Sequence, residues 1–263
     1  MAKKTKISWA DATFNPWWGC TKVSAGCDSC YAETFSKRVG ENVWGPTAKR
    51  RFFGDKHWNE PRRWRDKAKA SGESFRVFCA SMADICEDRP DLIWPRMRLM
   101  GLIQDTPELT WILLTKRPEN FNRLFDWRER GTHRPLLWPK NVWAMATVEN
   151  QEQAEKRIPQ LWNVAATVRG ISYEPALGPL NLKFSPAYID WVICGGESGI
   201  RARPMSLDWA RSVRDQCRRD NIAFFMKQLG GARNKKDRLE DLPADLQIRE
   251  WPQENVNNLV GRS

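Results

Sequence analysis

From Phe75 onward, short runs of β-branched and aromatic residues alternate with longer stretches whose apolar positions recur every three or four residues. "FRVFCASMADI" reads as a strand, and "PDLIWPRMRLMGLIQDT" as a helix with Ile93, Met97, Met100 and Ile103 on one stripe. "LTWILLTKR" is the next strand, followed by "PENFNRLFDWRER" as a helix with Pro118 suited to its first turn. The strand "NVWAMATVEN" precedes the helical "QEQAEKRIPQLWN". "VRGISYEPAL" is a further strand, whereas "GPLNLKFSPAY" after it is too rich in proline and glycine for a regular helix. "IDWVICGGES" leads into "SLDWARSVRDQCRRDN", a helix that Ser206 or Asp208 can cap, and "IAFFMKQLGG" closes the series. Six strands are thus expected from residue 75 on, and "KISWADATFNPW" offers a seventh.

Repeated strand–helix units imply a parallel sheet, either open and doubly wound or curled into a full or partial barrel. Polar residues stand at the carboxyl ends of nearly all these strands. They are Ser81 and Asp84, Thr115 with Lys116 and Arg117, Thr147 to Asn150 with Glu149, Tyr173 and Glu174, Gly195 to Ser198, and Lys227 with Gln228. In a barrel such ends share one mouth, where the sites of this architecture lie. The expectation is therefore α/β, a partial TIM-like (β/α)6-7 barrel, as one domain over residues 1–263 with an irregular C-terminal extension at 232–263.

Charge adds a partner class. The chain has 43 Lys plus Arg against 32 Asp plus Glu, a net charge of +11, which suits a nucleic acid, nucleotide or phosphate. Residues 41–74 form a basic aromatic insertion, with Arg50, Arg51, Arg62 and Arg63 among Trp44, Phe52, Phe53, Trp58 and Trp64. Such a mixture suits phosphate contact with base stacking, and equally an insertion packed down by its own tryptophans. No run of about 18 apolar residues is present to span a bilayer, and "MAKKTKISW" lacks the apolar stretch of a signal peptide. No membrane partner is expected, and the location expected is cytoplasmic.

The stretch "WWGCTKVSAGCDSCYAE", residues 17–33, sets Cys20, Cys27 and Cys30 in one loop, with six residues between the first pair and two between the second. In a reducing compartment a cysteine group points to a metal, a cluster or catalysis rather than to disulfides. Three thiolates can ligate three irons of a [4Fe–4S] cluster, or three positions of a tetrahedral zinc. Zinc needs a fourth ligand, and the only histidines, His57 and His133, are not in a ligand-spaced pair with another cysteine. With Gly19, Ser24 and Gly26 the loop reads as exposed, where unligated thiols would oxidise. Cys79, Cys86, Cys194 and Cys217 are scattered and read as small buried residues.

A three-cysteine loop after a first strand, followed by strand–helix units, resembles the radical S-adenosylmethionine (SAM) superfamily. More closely, "FNPWWGCTKVSAGCDSCYAE", "WVICGGESG", "ARPM" and "FFMKQLGG" resemble an uncharacterised family of phage and bacterial proteins with an N-terminal three-cysteine motif. The resemblance covers most of the chain and implies a barrel of the radical SAM type. It implies that Cys20, Cys27 and Cys30 hold a [4Fe–4S] cluster whose open iron takes the amino and carboxylate groups of SAM. One electron from the cluster, which an electron donor reduces, would then cleave SAM to a 5′-deoxyadenosyl radical that abstracts hydrogen from substrate. "GGE" at Gly195, Gly196 and Glu197 looks like the superfamily's SAM-amine motif, and Tyr31 supplies the aromatic beside the last cysteine.

Such a cofactor needs anionic partners for its amine, a cation for its carboxylate and acceptors for its ribose. Glu149, Glu174 and Glu197 suit the first and third needs, while Lys116, Arg117 and Lys227 suit the second or a substrate phosphate. The expected function is a radical enzyme that modifies or repairs a nucleic acid, nucleotide or nucleobase. The alternatives are a nucleic-acid-binding protein stabilised by a metal or cluster, and a barrel hydrolase using the mouth carboxylates.

Overall fold

The computed structural model describes residues 5–128, 134–135, 137–183, 188–232 and 235–252. The chain is mixed α/β. Its first elements are β1 (Ala12–Thr13), β2 (Trp17–Trp18), α1 (Tyr31–Arg38), β3 (Arg51–Phe52), α2 (Asp55–Trp58) and α3 (Glu60–Ser71). There follow β4 (Phe75–Cys79), α4 (Ile93–Gln104), β5 (Leu109–Thr115), α5 (Phe121–Leu124), β6 (Val142–Thr147) and α6 (Gln151–Trp162). The series ends with β7 (Val168–Tyr173), β8 (Trp191–Gly195), α7 (Leu207–Arg219) and β9 (Ala223–Gln228).

All seven expected strands join one sheet, in the order β1-β4-β5-β6-β7-β8-β9, while β2 and β3 form a separate antiparallel pair. The pairs β1–β4, β4–β5, β7–β8 and β8–β9 are parallel. The order follows the chain without reversing, whereas a doubly wound sheet reverses at a switch point. This topology is compatible with a partial TIM-like fold. The strands β6, β7 and β8 are buried at every position, which is why β6 and β8 read as apolar runs rather than as alternation, while β7 buries Arg169 and Ser172 among its apolar residues.

Helix ends follow local chemistry. Asn150 caps α6 by accepting from Gln153 N at 3.0 Å, and Ser206, rather than Asp208, caps α7 by accepting from Asp208 N at 3.2 Å. Two expectations need correction. In α4 the buried face is Arg96, Leu99, Leu102 and Ile103, whereas Ile93 and Met97 are more than half exposed, so of the expected stripe Ile103 alone is fully buried. Met and Leu occupy both sides of this helix, and the aliphatic stem of Arg96 takes a place that a charge pattern assigns to solvent. The helix expected over 118–130 is a 3-10 turn followed by α5, which ends at Leu124; residues 129 and 130 lie outside the described ones.

The chain divides into two compact units. The first comprises Met1–Lys22, Ala32–Ala144 and Val164–Thr167. Phe14, Trp17, Ile85, Leu99, Trp111 and Phe121 are fully buried in it. Here the basic segment 41–74 proves part structural. Its second half is α3, packed on β4 and β5, with Trp58 and Trp64 buried, while Phe52 stays 46% exposed.

The second unit comprises Val23–Tyr31, Met145–Asn163 and Val168–Ser263. Leu161, Tyr173, Trp191, Val213 and Phe225 are fully buried in it. Part of the C-terminal extension has a definite job here. Met226 N donates to Ile248 O at 2.8 Å and Glu250 N to Phe224 O at 3.0 Å, so this segment pairs with β9 and covers its edge. Cys79 and Cys86 in the first unit, and Cys194 and Cys217 in the second, have no exposed surface, as small core residues should. No helix among the described residues is long and apolar enough to cross a membrane.

Candidate functional site

In the first unit the approach to Cys20 is fixed from both sides. Gly19 N donates to Met82 O at 3.0 Å, just beyond β4, and a Cβ on Gly19 would fall 2.3 Å from Val43 O. Only glycine allows that approach, so this residue reflects packing rather than a loose, exposed loop. The following residue, Thr21, is held by two arginines. Arg50, itself buried and paired with Glu87 at 2.7 Å, donates to Thr21 Oγ1, and Arg117 donates to Thr21 O at 2.7 Å.

Arg117 and Asp84 form the electrostatic setting of Cys20. Asp84, buried beyond β4, accepts from Thr115 Oγ1, Cys86 N, Lys116 N and Arg117 Nη1. Arg117 Nη1 also stands 3.9 Å from Cys20 Sγ. Burial, with help from the Asp84 carboxylate, pushes the Cys20 thiol up to about 12, against the opposing pull of Arg117. Burial draws the guanidinium of Arg117 down, but Asp84 and Cys20 outweigh that and hold it above its ordinary value. Unligated, Cys20 is therefore a protonated thiol at neutral pH, not an activated nucleophile.

In the second unit the loop 23–31 carries Cys27, which is buried, and Cys30, which is half-buried. Val23, Ala25 and Asp28 are exposed as expected, but the segment is tethered. Glu149, fully buried at the end of β6, accepts from Gly26 N at 3.2 Å and pairs with Arg157 of α6 at 2.8 Å. A Cβ on Gly26 would lie 3.0 Å from the Glu149 carboxylate carbon. Glu197, beyond β8, is gripped by Arg203 through its backbone N–H and its guanidinium, at 2.6 to 2.9 Å. The same guanidinium reaches Ala25 O at 2.9 Å and approaches Asp28 at 3.7 Å. Burial acts to raise the Glu197 carboxyl, but the bonds from Arg203 prevail and hold it below the ordinary glutamate value. Ser29 Oγ adds a bond to Arg201 O at 3.2 Å.

Glu149 and Glu197, the acids assigned above to the cofactor's amine and ribose, are thus both engaged in holding the cysteine loop. Arg157 and Arg203 were missed. The only sequence signal for Arg203 was its place in "ARPM", which carried no role.

The glycines of "GGE" are also explained locally. A Cβ on Gly195 would fall 2.6 Å from Glu174 Oε1, and one on Gly196 would fall 2.3 Å from Gly230 N. Glu174 pairs with Lys227 at 2.7 Å, closing a strand-end ion pair within this unit. Of the three expected cations, Arg117 and Lys227 are thereby engaged. Half-buried Lys116, in the first unit, makes no ion pair with any described residue. Tyr31 opens α1 and is 53% exposed.

Among the described residues no group of three or more His, Cys, Asp and Glu side chains is gathered so as to hold a metal ion. Cys20 in the first unit and Cys27 and Cys30 in the second are soft sulfur donors, none of them in a disulfide. Ser24 Oγ, in the loop 23–31, is buried and has no hydrogen-bond partner in the protein.

The chain is an α/β protein in which, within each unit, charged residues at strand ends are bonded to the neighbouring cysteine-bearing segment. The chain belongs to the family described as "Protein of unknown function (DUF5131)", whose model matches residues 4–261. Neither the comparison with curated proteins nor that with solved structures gives a match.

Proposed function

We propose that this protein is an iron–sulfur enzyme of the radical SAM kind, in which Cys20, Cys27 and Cys30 hold a [4Fe–4S] cluster and the open iron takes SAM. The observation that carries this reading is the treatment of the loop 23–31. Two strand-end acids with their arginines, Glu149 with Arg157 and Glu197 with Arg203, hold a segment whose residues 24–30 are small residues, one aspartate and two cysteines. Charged groups at strand ends are where this architecture places function. Here they serve the thiols, which argues that the thiols are the working part.

Such a cluster, when bound and reduced by an electron donor, would supply the electron for reductive cleavage of SAM. The chain's own residues do the rest. Arg117 places a fixed positive charge beside the Cys20 sulfur and favours its thiolate. Glu149 and Glu197 act as positioning residues for the arm bearing Cys27 and Cys30. Lys116, with an ammonium that no described acid occupies, is the cation for a carboxylate or phosphate. Net charge of +11 supports an anionic substrate such as a nucleic acid or nucleotide.

Anaerobic reconstitution followed by iron analysis tests the reading. About four irons per chain are expected. Cys20→Ala, Cys27→Ala and Cys30→Ala should each lose them, and Cys79→Ala should not. The reduced, loaded protein should release 5′-deoxyadenosine from SAM, seen by chromatography. Full iron in any of the three cysteine variants overturns the ligand assignment. An intact, reducible cluster that neither binds nor cleaves SAM leaves the radical reading without support and gives the cluster a structural or electron-transfer role.

A further inference from the structure

In the second unit the strap from Asp245 to Glu250 runs beside α7 and the start of β9, and both its ends are pinned. Asp245 accepts from Arg211 at 2.9 Å and from Arg214 at 2.7 Å. At the other end Glu250 N donates to Phe224 O at 3.0 Å, and the Glu250 carboxylate accepts from Phe224 N at 3.0 Å. Trp191 Nε1 donates to Glu250 O at 2.9 Å. Beside these pins, α7, the start of β9 and the strap enclose a cavity of about 640 Å³. Cys217, Ile222 and Phe224 form its buried apolar wall, with Ile248 on the strap side. An apolar wall that faces a gap forfeits packing contacts, so the gap persists because the frame around it is fixed. Its volume falls in the range of roughly 300 to 1,000 Å³ usual for small-molecule sites. Ile222 and Phe224 stand at the amino end of β9, away from Lys227 and Gln228 at the other end, so this cavity is separate from the strand-end site described above.

Five charged side chains line the cavity, and four of them are engaged. Arg214 holds Asp215 at 2.8 Å and Asp245 at 2.7 Å, and Glu250 takes the Phe224 N–H. The fifth is Arg218, whose guanidinium makes neither an ion pair nor a hydrogen bond with any described residue. We propose that the cavity is a ligand site for a small organic monocarboxylate, whose apolar body lies against Ile222, Phe224 and Ile248 and whose carboxylate takes the fork of Arg218. A guanidinium pairs with a carboxylate through two parallel hydrogen bonds, and Asn221 on the rim adds an amide donor. A cationic ligand finds the lining acids already supplied with donors. A doubly charged phosphate would stand among three carboxylates with one free cation to offset them, so a single negative charge is the match.

The probe is naphthoate, titrated into the full chain with isotope-labelled isoleucine methyl groups and followed by nuclear magnetic resonance. Saturable shifts are expected at Ile222 and Ile248, and none at the exposed Ile93 and Ile200. Arg218→Gln changes an exposed position of α7 and should leave the fold intact. It should weaken naphthoate about tenfold or more, as loss of a charge-assisted hydrogen bond does. The neutral naphthamide should bind wild type more weakly than naphthoate does, and bind the variant as it binds wild type. No saturable shift at Ile222 and Ile248 with millimolar naphthoate overturns the inference. So do shifts of the same size at Ile93 and Ile200, which mark general adsorption to apolar surface, and so does equal affinity of naphthoate for wild type and Arg218→Gln. Tighter binding of naphthylmethylamine or naphthyl phosphate than of naphthoate overturns the ligand class. The outcome is independent of whether Cys20, Cys27 and Cys30 hold a cluster, because the titration needs neither iron nor SAM.

Discussion

Glu149 and Gly26, 123 residues apart in the chain, are joined by a 3.2 Å hydrogen bond from the glycine N–H to the buried carboxylate. The other oxygen of that carboxylate pairs with Arg157 at 2.8 Å, and neither side chain is more than 6% exposed. Removing one partner of such a pair leaves a buried charge uncompensated, at a cost of about 3 to 5 kcal/mol. Glu149→Ala should therefore destabilise the protein by about that amount in urea unfolding. A double variant, Glu149→Ala with Arg157→Met, should recover much of it. If the single variant costs no more than a surface substitution, the pair does not hold the loop.

Gly26→Ala offers a gentler probe of the same contact. The added Cβ would lie 3.0 Å from the Glu149 carboxylate carbon, so either the loop or the acid must shift by a few tenths of an ångström. The expected result is a folded protein with little change in melting temperature but faster hydrogen exchange at the amides of residues 25–30. Unchanged exchange would show that the loop tolerates the displacement.

Glu197 makes a pH dependence testable. Its carboxyl is held below the ordinary glutamate value by Arg203 despite burial. A depressed folded value means that the ion pair stabilises the protein above the unfolded carboxylate value of about 4.3, and that this contribution is lost as pH falls through the folded value. Wild type should exceed Glu197→Gln in melting temperature from about pH 5 upward, and the gap should close as the medium becomes more acidic than about pH 4. A gap that stays constant down to pH 3 would assign the difference to shape rather than charge.

How much of this was legible depends on where the information lies. The strands from β4 to β9 are mostly buried and mostly apolar, with polar residues beyond their ends, and that pattern is local, so it reads directly from the chain. In α4 it fails, because Ile93, Trp94 and Met97 on one side compete with Leu99, Leu102 and Ile103 on the other. Arg96 settles the question through contacts that no period encodes, donating to Glu87 O at 2.6 Å from a buried position. The strand-end acids were legible as positions, since polarity resumes there. Their partners were not: Glu149 meets Gly26 and Arg157, and Glu197 meets Arg203, through the fold rather than through a motif. The two Gly-Gly pairs at 195–196 and 230–231 likewise make sense only together. Gly196 N donates to Gln228 O and Gly231 N to Glu197 O, and a side chain on Gly196 or Gly230 would strike the opposite backbone.

The basic aromatic surface of the first unit gives the last prediction, and the structure changes which residues test it. Arg50, an obvious candidate for phosphate contact from its neighbours in sequence, is buried with Glu87, and Arg62 pairs with Asp105 at 3.1 Å. Arg51 is different. Its guanidinium lies 4.7 Å over the Trp18 ring and 5.3 Å from the centre of Phe53, while Phe35, packed edge-on against Trp18, is 42% exposed. Lys49 and Lys56, both exposed, stand two and five residues from Arg51 in the chain. Exposed rings beside cations suit a single-stranded nucleic acid, whose bases stack while its phosphates are neutralised. Changing Lys49, Arg51 and Lys56 together to glutamine should weaken binding of a single-stranded oligonucleotide and lower the log–log salt slope by about 2 to 3, at roughly 0.7 to 0.9 per phosphate contact. Phe35→Ala should weaken binding by a stacking contribution of about 1 to 3 kcal/mol and leave that slope unchanged. Fluorescence anisotropy across a salt series separates the two effects. Equal slopes for wild type and the triple variant would show that this surface meets no phosphate and that its rings serve only to pack α1 against the β2–β3 pair.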